Sequence, residues 1–330
     1  MNQNNVSIIN QKGFTLIELM VALVLGLLVS AAAIQLFTGG LLSSRMQEAS
    51  AELQNSGIFG LDYITKDVRL ANYANTTNPV LNEQTSWGGI VLTARTASIT
   101  TANIPIPASA PFISNGLLSH SQGTGDALST VTNEWRGLSN VNATSDQLTI
   151  QFIAPNAMMN CEGANVQAGD YVIQRYFVRR DPASATSGTD FGLACDANRP
   201  TASGTTPVLP PTAINGFGDA GEIIIPRVDH FTVQLSVRND AGSLAYYTIN
   251  QYRTIAATAR SASTTPPRII AVKLGVLVRS MDNTNNAAID LTKQIPILNQ
   301  SVTLNNTTIK FARRVYTTNI TLRNGLGEAL

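Results

Sequence analysis

Charge is scarce in this chain. Only 13% of its 330 residues are Asp, Glu, Lys or Arg, and 22 basic side chains nearly balance 21 acidic ones. A surface that tracks a phosphate backbone needs a clustered basic excess, so no nucleic-acid partner is expected. Arg179-Arg180 and Arg313-Arg314 are isolated pairs, read as solvated strand ends. The two cysteines, Cys161 and Cys195, are too few for a metal cage and lack C-x-x-C spacing. The two histidines offer no better chemistry: His120 lies in a Ser/Gly-rich loop, His230 at the start of a strand, and neither sits beside a recognisable nucleophile or ligand. No cofactor and no enzymatic activity are expected.

Two letter matches fail on context. Gly216-Phe217-Gly218-Asp219-Ala220-Gly221 spells a dinucleotide fingerprint, but a Pro-rich stretch precedes it and the strand-like Glu222-Ile223-Ile224-Ile225 follows. The motif needs a strand before and a helix after, so this is a glycine turn. Asp282-Asn283-Thr284-Asn285-Asn286 hints at a calcium loop, but Ala287 and Lys293 stand where glycine and glutamate are required. It reads as a polar turn.

What the chain does have is a long apolar run. Residues 14–37 carry no charge except Glu18, and as a helix they span about 36 Å, enough to cross a bilayer core. An ionisable group in such a segment costs roughly 2.5–3.5 kcal/mol on insertion scales and calls for a partner. No basic residue of the run supplies one. A secretory signal peptide fits poorly, because the basic start is only Lys12 and the run is too long. A plain anchor leaves Glu18 unexplained. Cleavage after Gly13 would give Phe14 a new α-amine four residues from Glu18, on the same helix face. A carboxylate in the first turn also suits the positive end of the helix dipole.

Gly13-Phe14-Thr15-Leu16-Ile17-Glu18-Leu19-Met20-Val21-Ala22 resembles the class III signal of type IV pilins and type II secretion pseudopilins. The resemblance implies a leader (1–13) removed by prepilin peptidase, N-methylation of Phe14, and pairing of Glu18 with the N-terminal amine of a neighbouring subunit. It also implies a single-pass inner-membrane protein with a periplasmic head, and later a place in a surface fibre. Outside the cytoplasm Cys161 and Cys195 should pair, closing a loop of about 35 residues worth roughly 3–4 kcal/mol in the chain-entropy view. The alternative is two buried free thiols.

Beyond the membrane half (14–37) an amphipathic half (38–73) follows. Leu42, Met46, Ala49, Leu53, Gly57, Gly60, Ile64, Val68 and Ala71 recur at spacings of three or four, one stripe along a helix. It is read as packing against neighbouring pilin helices, its glycines admitting a close neighbour. A second face carries Phe59, Tyr63, Leu70 and Tyr73, and a helix apolar on two faces is expected to be buried on both, against its own globular domain and against neighbouring helices. Gly39-Gly40 is the expected weak point of the helix. From residue 74 the period becomes two: 147–154, 171–179, 231–238, 269–279 and 317–322 read as strands, with shorter ones at 89–94, 222–225 and 244–249. Long loops are expected at 96–145 and 181–220. The fold class is therefore α+β, a long N-terminal helix packed on an antiparallel β-sheet head (74–330).

Within that class, the 53–71 segment, the stretches 160–163 and 193–196 around the two cysteines, and the segments 270–280 and 313–324 resemble the PilW family of minor pilins. Asn72 departs from a glycine frequent there. The resemblance implies a structural subunit of a priming complex that starts type IV pilus growth, at or near the fibre tip. Its partners would be other minor pilins, the major pilin, prepilin peptidase and the inner-membrane assembly platform. A minor pseudopilin of type II secretion and a tip adhesin are the other readings.

Overall fold

The computed structural model describes residues 13–73, 75, 80–96, 99–106, 113–121, 133–182, 190–238 and 242–323. The expected leader residues 1–12 and parts of the expected loops 96–145 and 181–220 lie outside them. The chain forms two compact units, Met1–Glu48 and Ala49–Leu330.

The first unit holds the start of helix α1 (Leu16–Gln54), whose apolar part is long enough to cross a membrane. Its side chains from Phe14 to Leu42 are exposed, including Phe14, Leu16, Leu28 and Phe37. Its few hydroxyls bond backward along the helix, Ser30 Oγ to Gly26 O at 2.8 Å and Thr38 Oγ1 to Ile34 O at 2.9 Å. Such bonding lets a hydroxyl sit in an apolar medium without a lost hydrogen bond. The helix runs through Gly39-Gly40 unbroken. Its first irregularity comes instead at Asn55–Phe59, a π turn, before helix α2 (Gly60–Leu70).

The second unit is built on two four-stranded antiparallel sheets. In chain order its strands are β1 (Leu148–Ile153), β2 (Met158–Met159), β3 (Asn165–Val166), β4 (Tyr171–Arg180), β5 (Phe191–Ala197), β6 (Glu222–Ile225), β7 (Val228–Arg238), β8 (Leu244–Thr248), β9 (Arg268–Asn283), β10 (Ile295–Ile297), β11 (Gln300–Val302) and β12 (Phe311–Thr321). One sheet has the order β1-β4-β5-β6, the other β12-β9-β7-β8, and two short hairpins pair β2 with β3 and β10 with β11. A shared core joins them: Leu53, Ile64 and Val68 of the helices meet Leu148, Tyr176 and Leu193 of the first sheet and Phe231, Leu274 and Ile320 of the second.

Three elements depart from the sequence expectations, each for a physical reason. Strand β5 lies inside the supposed loop 181–220. All seven of its residues are buried. Phe191, Leu193, Cys195 and Ala197 join the main core, but they alternate with Gly192, Ala194 and Asp196 in a short segment set within a Gly-, Ser- and Thr-rich stretch, too weak a contrast to stand out. Helix α3 (Ile249–Ser261) was not expected at all. Thr248 and Gln251 form a capping box, Gln251 N donating to Thr248 Oγ1 at 3.2 Å and Thr248 N to Gln251 Oε1 at 2.9 Å. Ile249, Tyr252 and Ala256 form its buried face. Conversely, 89–94 alternates like a strand but makes only isolated bridges, Ile90 to Ile150 and Ala94 to Ile104. The Asn103 side chain stands in for a partner strand: Oδ1 accepts from Leu92 N (2.9 Å) and Thr93 N (3.2 Å), and Nδ2 donates to the carbonyls of Asn82 and Thr85.

Asn72, just past α2, has φ +65°. This is the left-handed position where helices commonly end on glycine, and asparagine is the residue that substitutes best. Its Oδ1 accepts from Gly89 N at 3.3 Å, and a Cβ at Gly89 would fall 1.9 Å from Asn72 N. The departure from glycine thus keeps the same backbone conformation. Urea unfolding of the processed protein should show Asn72→Ala losing about 1–2 kcal/mol, the usual cost of a left-handed L-residue, and Asn72→Gly losing less. Equal losses would show that the backbone conformation does not decide this position.

Candidate assembly surfaces

Glu18 closes on its own helix. Thr15 N and Thr15 Oγ1 each donate to Glu18 Oε2 at 3.0 Å, and Glu18 N donates to Thr15 Oγ1 at 3.3 Å. This is a capping box with Thr15 as the cap, and the Thr-x-x-Glu spacing at 15–18 is its signature in the sequence. Gly13 and Phe14 precede the helix and are exposed, and a Cβ at Gly13 would meet nothing within 4 Å.

The apolar stripe divides. Leu42 remains exposed and Met46 half-exposed. From Ala49 onward the stripe is buried in the chain's own head: Ala49, Leu53, Gly57, Gly60, Ile64, Val68 and Ala71 all lie inside. These residues are therefore spent internally and not offered to neighbouring helices. The glycines show how tight the contact is. A Cβ on Gly57 would sit 2.2 Å from the Tyr316 ring on β12, and one on Gly60 2.3 Å from Ile225 on β6. Since real Cβ atoms never come so close, the close neighbour that the glycines admit is the head itself. What stays outward is Ile58, Phe59 and Tyr63, which are 54%, 70% and 39% exposed. Phe59 and Tyr63 border a groove of about 470 Å³ with Cys161, Glu162, Gly163 and Ile224, and Tyr63 Oη donates to Asn160 O at 3.3 Å.

Cys161 and Cys195 are joined, with Cα atoms 6.0 Å apart. The bond ties the turn between β2 and β3 to the buried strand β5. A polar link runs from it to the helix. Tyr176 Oη donates to Asp67 Oδ2 at 2.9 Å. The Gln174 amide fits with its nitrogen donating to the same oxygen and its oxygen accepting from Cys161 N, both at 3.0 Å. Burial pushes the Asp67 carboxyl up to about 6, against the opposing pull of Tyr176 and Lys66.

The buried charges concentrate in two places. Asp229 accepts from Arg313 Nε at 2.6 Å and lies 3.2 Å from Arg279 Nε, so Arg313 is part of a buried network and not a solvated strand end. Near the disulfide, Arg175 Nη2 lies 2.7 Å from Asp196 Oδ2, both side chains fully buried. Glu162, the residue after Cys161, is pushed up to about 7 by burial and by the carboxylates of Asp219, Asp196 and Glu222. Glu162, Asp196 and Asp219 each place one oxygen within 4.8 Å of the others, the one group of metal-ligating side chains of this kind among the described residues. The histidines are structural. His120 stacks on Trp135 at 5.1 Å, and burial pushes His230 down to about 4, leaving it neutral beside Gln300. Gly216, Gly218 and Gly221 take positive φ in the turn that leads into β6.

Comparison with known proteins gives two family matches. Residues 176–324 match the model of the type IV pilus-assembly protein W family, and residues 8–34 match the prokaryotic N-terminal methylation motif. The first match takes in Cys195 and the sheet β12-β9-β7-β8, while the 53–71 helix and Cys161 fall outside it. Among solved structures, a type IV-like pilin from Thermus thermophilus is similar at 15% identity over 55% of this chain and 80% of that one, with a TM-score of 0.27. No curated protein matches significantly.

A carboxyl held at about 6 in the folded chain, against 3.8 ordinarily, binds its proton more tightly when folded. Its contribution favours folding fully below pH 4 and fades as pH rises to about 6. Asp67→Asn should therefore flatten the pH dependence of stability between pH 4 and 6 and leave the protein at least as stable at pH 7. Urea unfolding at several pH values checks this, and an unchanged slope would remove Asp67 as its source.

Proposed function

We propose that this chain, a PilW-type member of the type IV pilin class, is a minor pilin that joins a priming complex in the inner membrane and stays at or near the tip of the fibre it starts. What carries the reading is one segment: the exposed apolar stretch 14–37 that follows Gly13 and holds a single carboxylate, Glu18, beginning within a matched N-terminal methylation motif. Such a surface is stable only in lipid or against other apolar helices. Prepilin peptidase would cut after Gly13, leaving Phe14 as the methylated N-terminus. The periplasmic head would then select its neighbours. The match over 176–324 supports the pilus over the type II secretion reading, and the outward Ile58, Phe59 and Tyr63 are the surface of the outer helix left for a neighbouring subunit.

Glu18 has two separable roles in this reading. It caps its own helix through Thr15, and it offers charge to the Phe14 amine of another subunit. Removing an unpaired charge from the bilayer, worth roughly 2.5–3.5 kcal/mol, would favour paired incorporation roughly a hundredfold. Gln at position 18 preserves a capping box but not the charge. Glu18→Gln and Glu18→Ala should both be processed normally and both drop out of sheared fibres by immunoblot. If Glu18→Gln enters fibres like the wild type while Glu18→Ala does not, the cap is all that Glu18 supplies and the charge-pairing account fails.

A further inference from the structure

We propose that Glu162, Asp196 and Asp219 form a calcium-binding site that the Cys161–Cys195 disulfide assembles. One oxygen from each carboxylate lies within 4.8 Å of the others. Calcium takes oxygen ligands at 2.3–2.6 Å, so ligand atoms up to about 5 Å apart can share one ion without backbone movement. An independent sign comes from Asp196, which is wholly buried. Its Oδ2 accepts from Arg175 Nε and Gly218 N, both at 3.0 Å, and lies 2.7 Å from Arg175 Nη2. Its Oδ1 is buried and has no hydrogen-bond partner. A buried carboxylate oxygen left bare costs stability, and a cation would satisfy it.

The charge balance points the same way. Three carboxylates, those of Glu162, Asp196 and Asp219, gather here, and the guanidinium in direct contact with one of them is that of Arg175. Arg179 reaches the turn through Gly221 O instead. The donor set is all oxygen, since both thiols are consumed in the disulfide, which suits calcium and not zinc.

The assembly is covalent in origin. Glu162 follows Cys161 and Asp196 follows Cys195, so closing a separation of 34 residues sets the two ligands side by side. Asp219 is delivered by the glycine turn: Arg175 Nη2 donates to its carbonyl at 2.9 Å, and Gly221 N to its Oδ1 at 2.7 Å. Gly221 itself can carry no side chain, because a Cβ would lie 2.1 Å from Cys195 O. Calcium binding should therefore depend on the oxidised state of the head.

Calorimetric titration of calcium chloride into the full processed chain in detergent, disulfide intact, tests this together with thermal unfolding in EDTA and in calcium. One calcium per chain and a higher melting temperature in calcium are expected, with magnesium giving a weaker effect. Glu162→Gln and Asp219→Asn should each weaken binding by about tenfold or more while melting in EDTA no earlier than the wild type, since each removes a repelling charge. Reduction should weaken calcium binding as well. Absence of both heat and melting shift in the oxidised wild type would overturn the proposal, as would a calcium shift that persists in the double variant.

Discussion

Burial of one helix face, from Ala49 to Ala71, is the contact on which the head is organised. The face is smooth by necessity. Gly57 lies under the Tyr316 ring and Gly60 under Ile225, so the helix backbone approaches one strand of each sheet more closely than any side chain would permit. Leu53, Ile64 and Val68 then fill the space between the sheets. Asp67 adds a polar anchor inside this apolar contact, bonded to Tyr176 and, through Gln174, to the turn that carries Cys161. Loss of the helix would uncover the core of both sheets and strand a buried carboxyl's partners, so the head and the outer helix form one cooperative body.

That arrangement assigns the two faces of the outer helix to different tasks. A stripe buried in its own head cannot also seat a neighbour. On the proposed reading the surface left for another subunit is that of Ile58, Phe59 and Tyr63, which stay exposed although each is large and apolar. The π turn at Asn55–Phe59 lies at this junction. Gly57 and Gly60, three residues apart, share the face that meets the head while Phe59 points away, and π turns recur where a helix carries function.

How much of this could be read from the sequence depended on how local the signal was. The apolar run, the outer helix and the long strands β4, β7 and β9 announce themselves through periodicity, because each has one face of constant character. The stripe itself was legible, but not its partner, since periodicity shows that a face is covered and never by what. Strand β5 was masked by composition: its alternation is short, with Gly192 and Ala194 on one face, inside a stretch rich in Gly, Ser and Thr. Asn103 turned an alternating segment into an irregular one through a side-chain amide, an interaction that no spacing encodes. The acidic cluster escaped because its ligands come from three segments, although the adjacent pairs Cys161-Glu162 and Cys195-Asp196 show in retrospect what a disulfide would bring together.

The two capping boxes bear on why Glu18 is charged. At Thr248–Gln251 a neutral amide performs the reciprocal capping bonds at the start of α3. At Thr15–Glu18 the same bonds are made by a carboxylate, although this helix is the one bound for the membrane. Glutamine would cap equally well there and avoid much of the roughly 2.5–3.5 kcal/mol that an acidic group adds on insertion. Capping therefore explains where the side chain points but not its ionisable group. In the proposed function the charge has a second purpose, pairing with a cationic partner that must lie outside the segment, since the run from 14 to 37 holds no basic residue. An N-terminal amine created next to Gly13 is the group of that kind which every copy of the processed chain would carry. On the proposed reading the capping bonds would be a holding position, keeping the carboxylate satisfied and aimed at the helix start until a neighbouring amine displaces them.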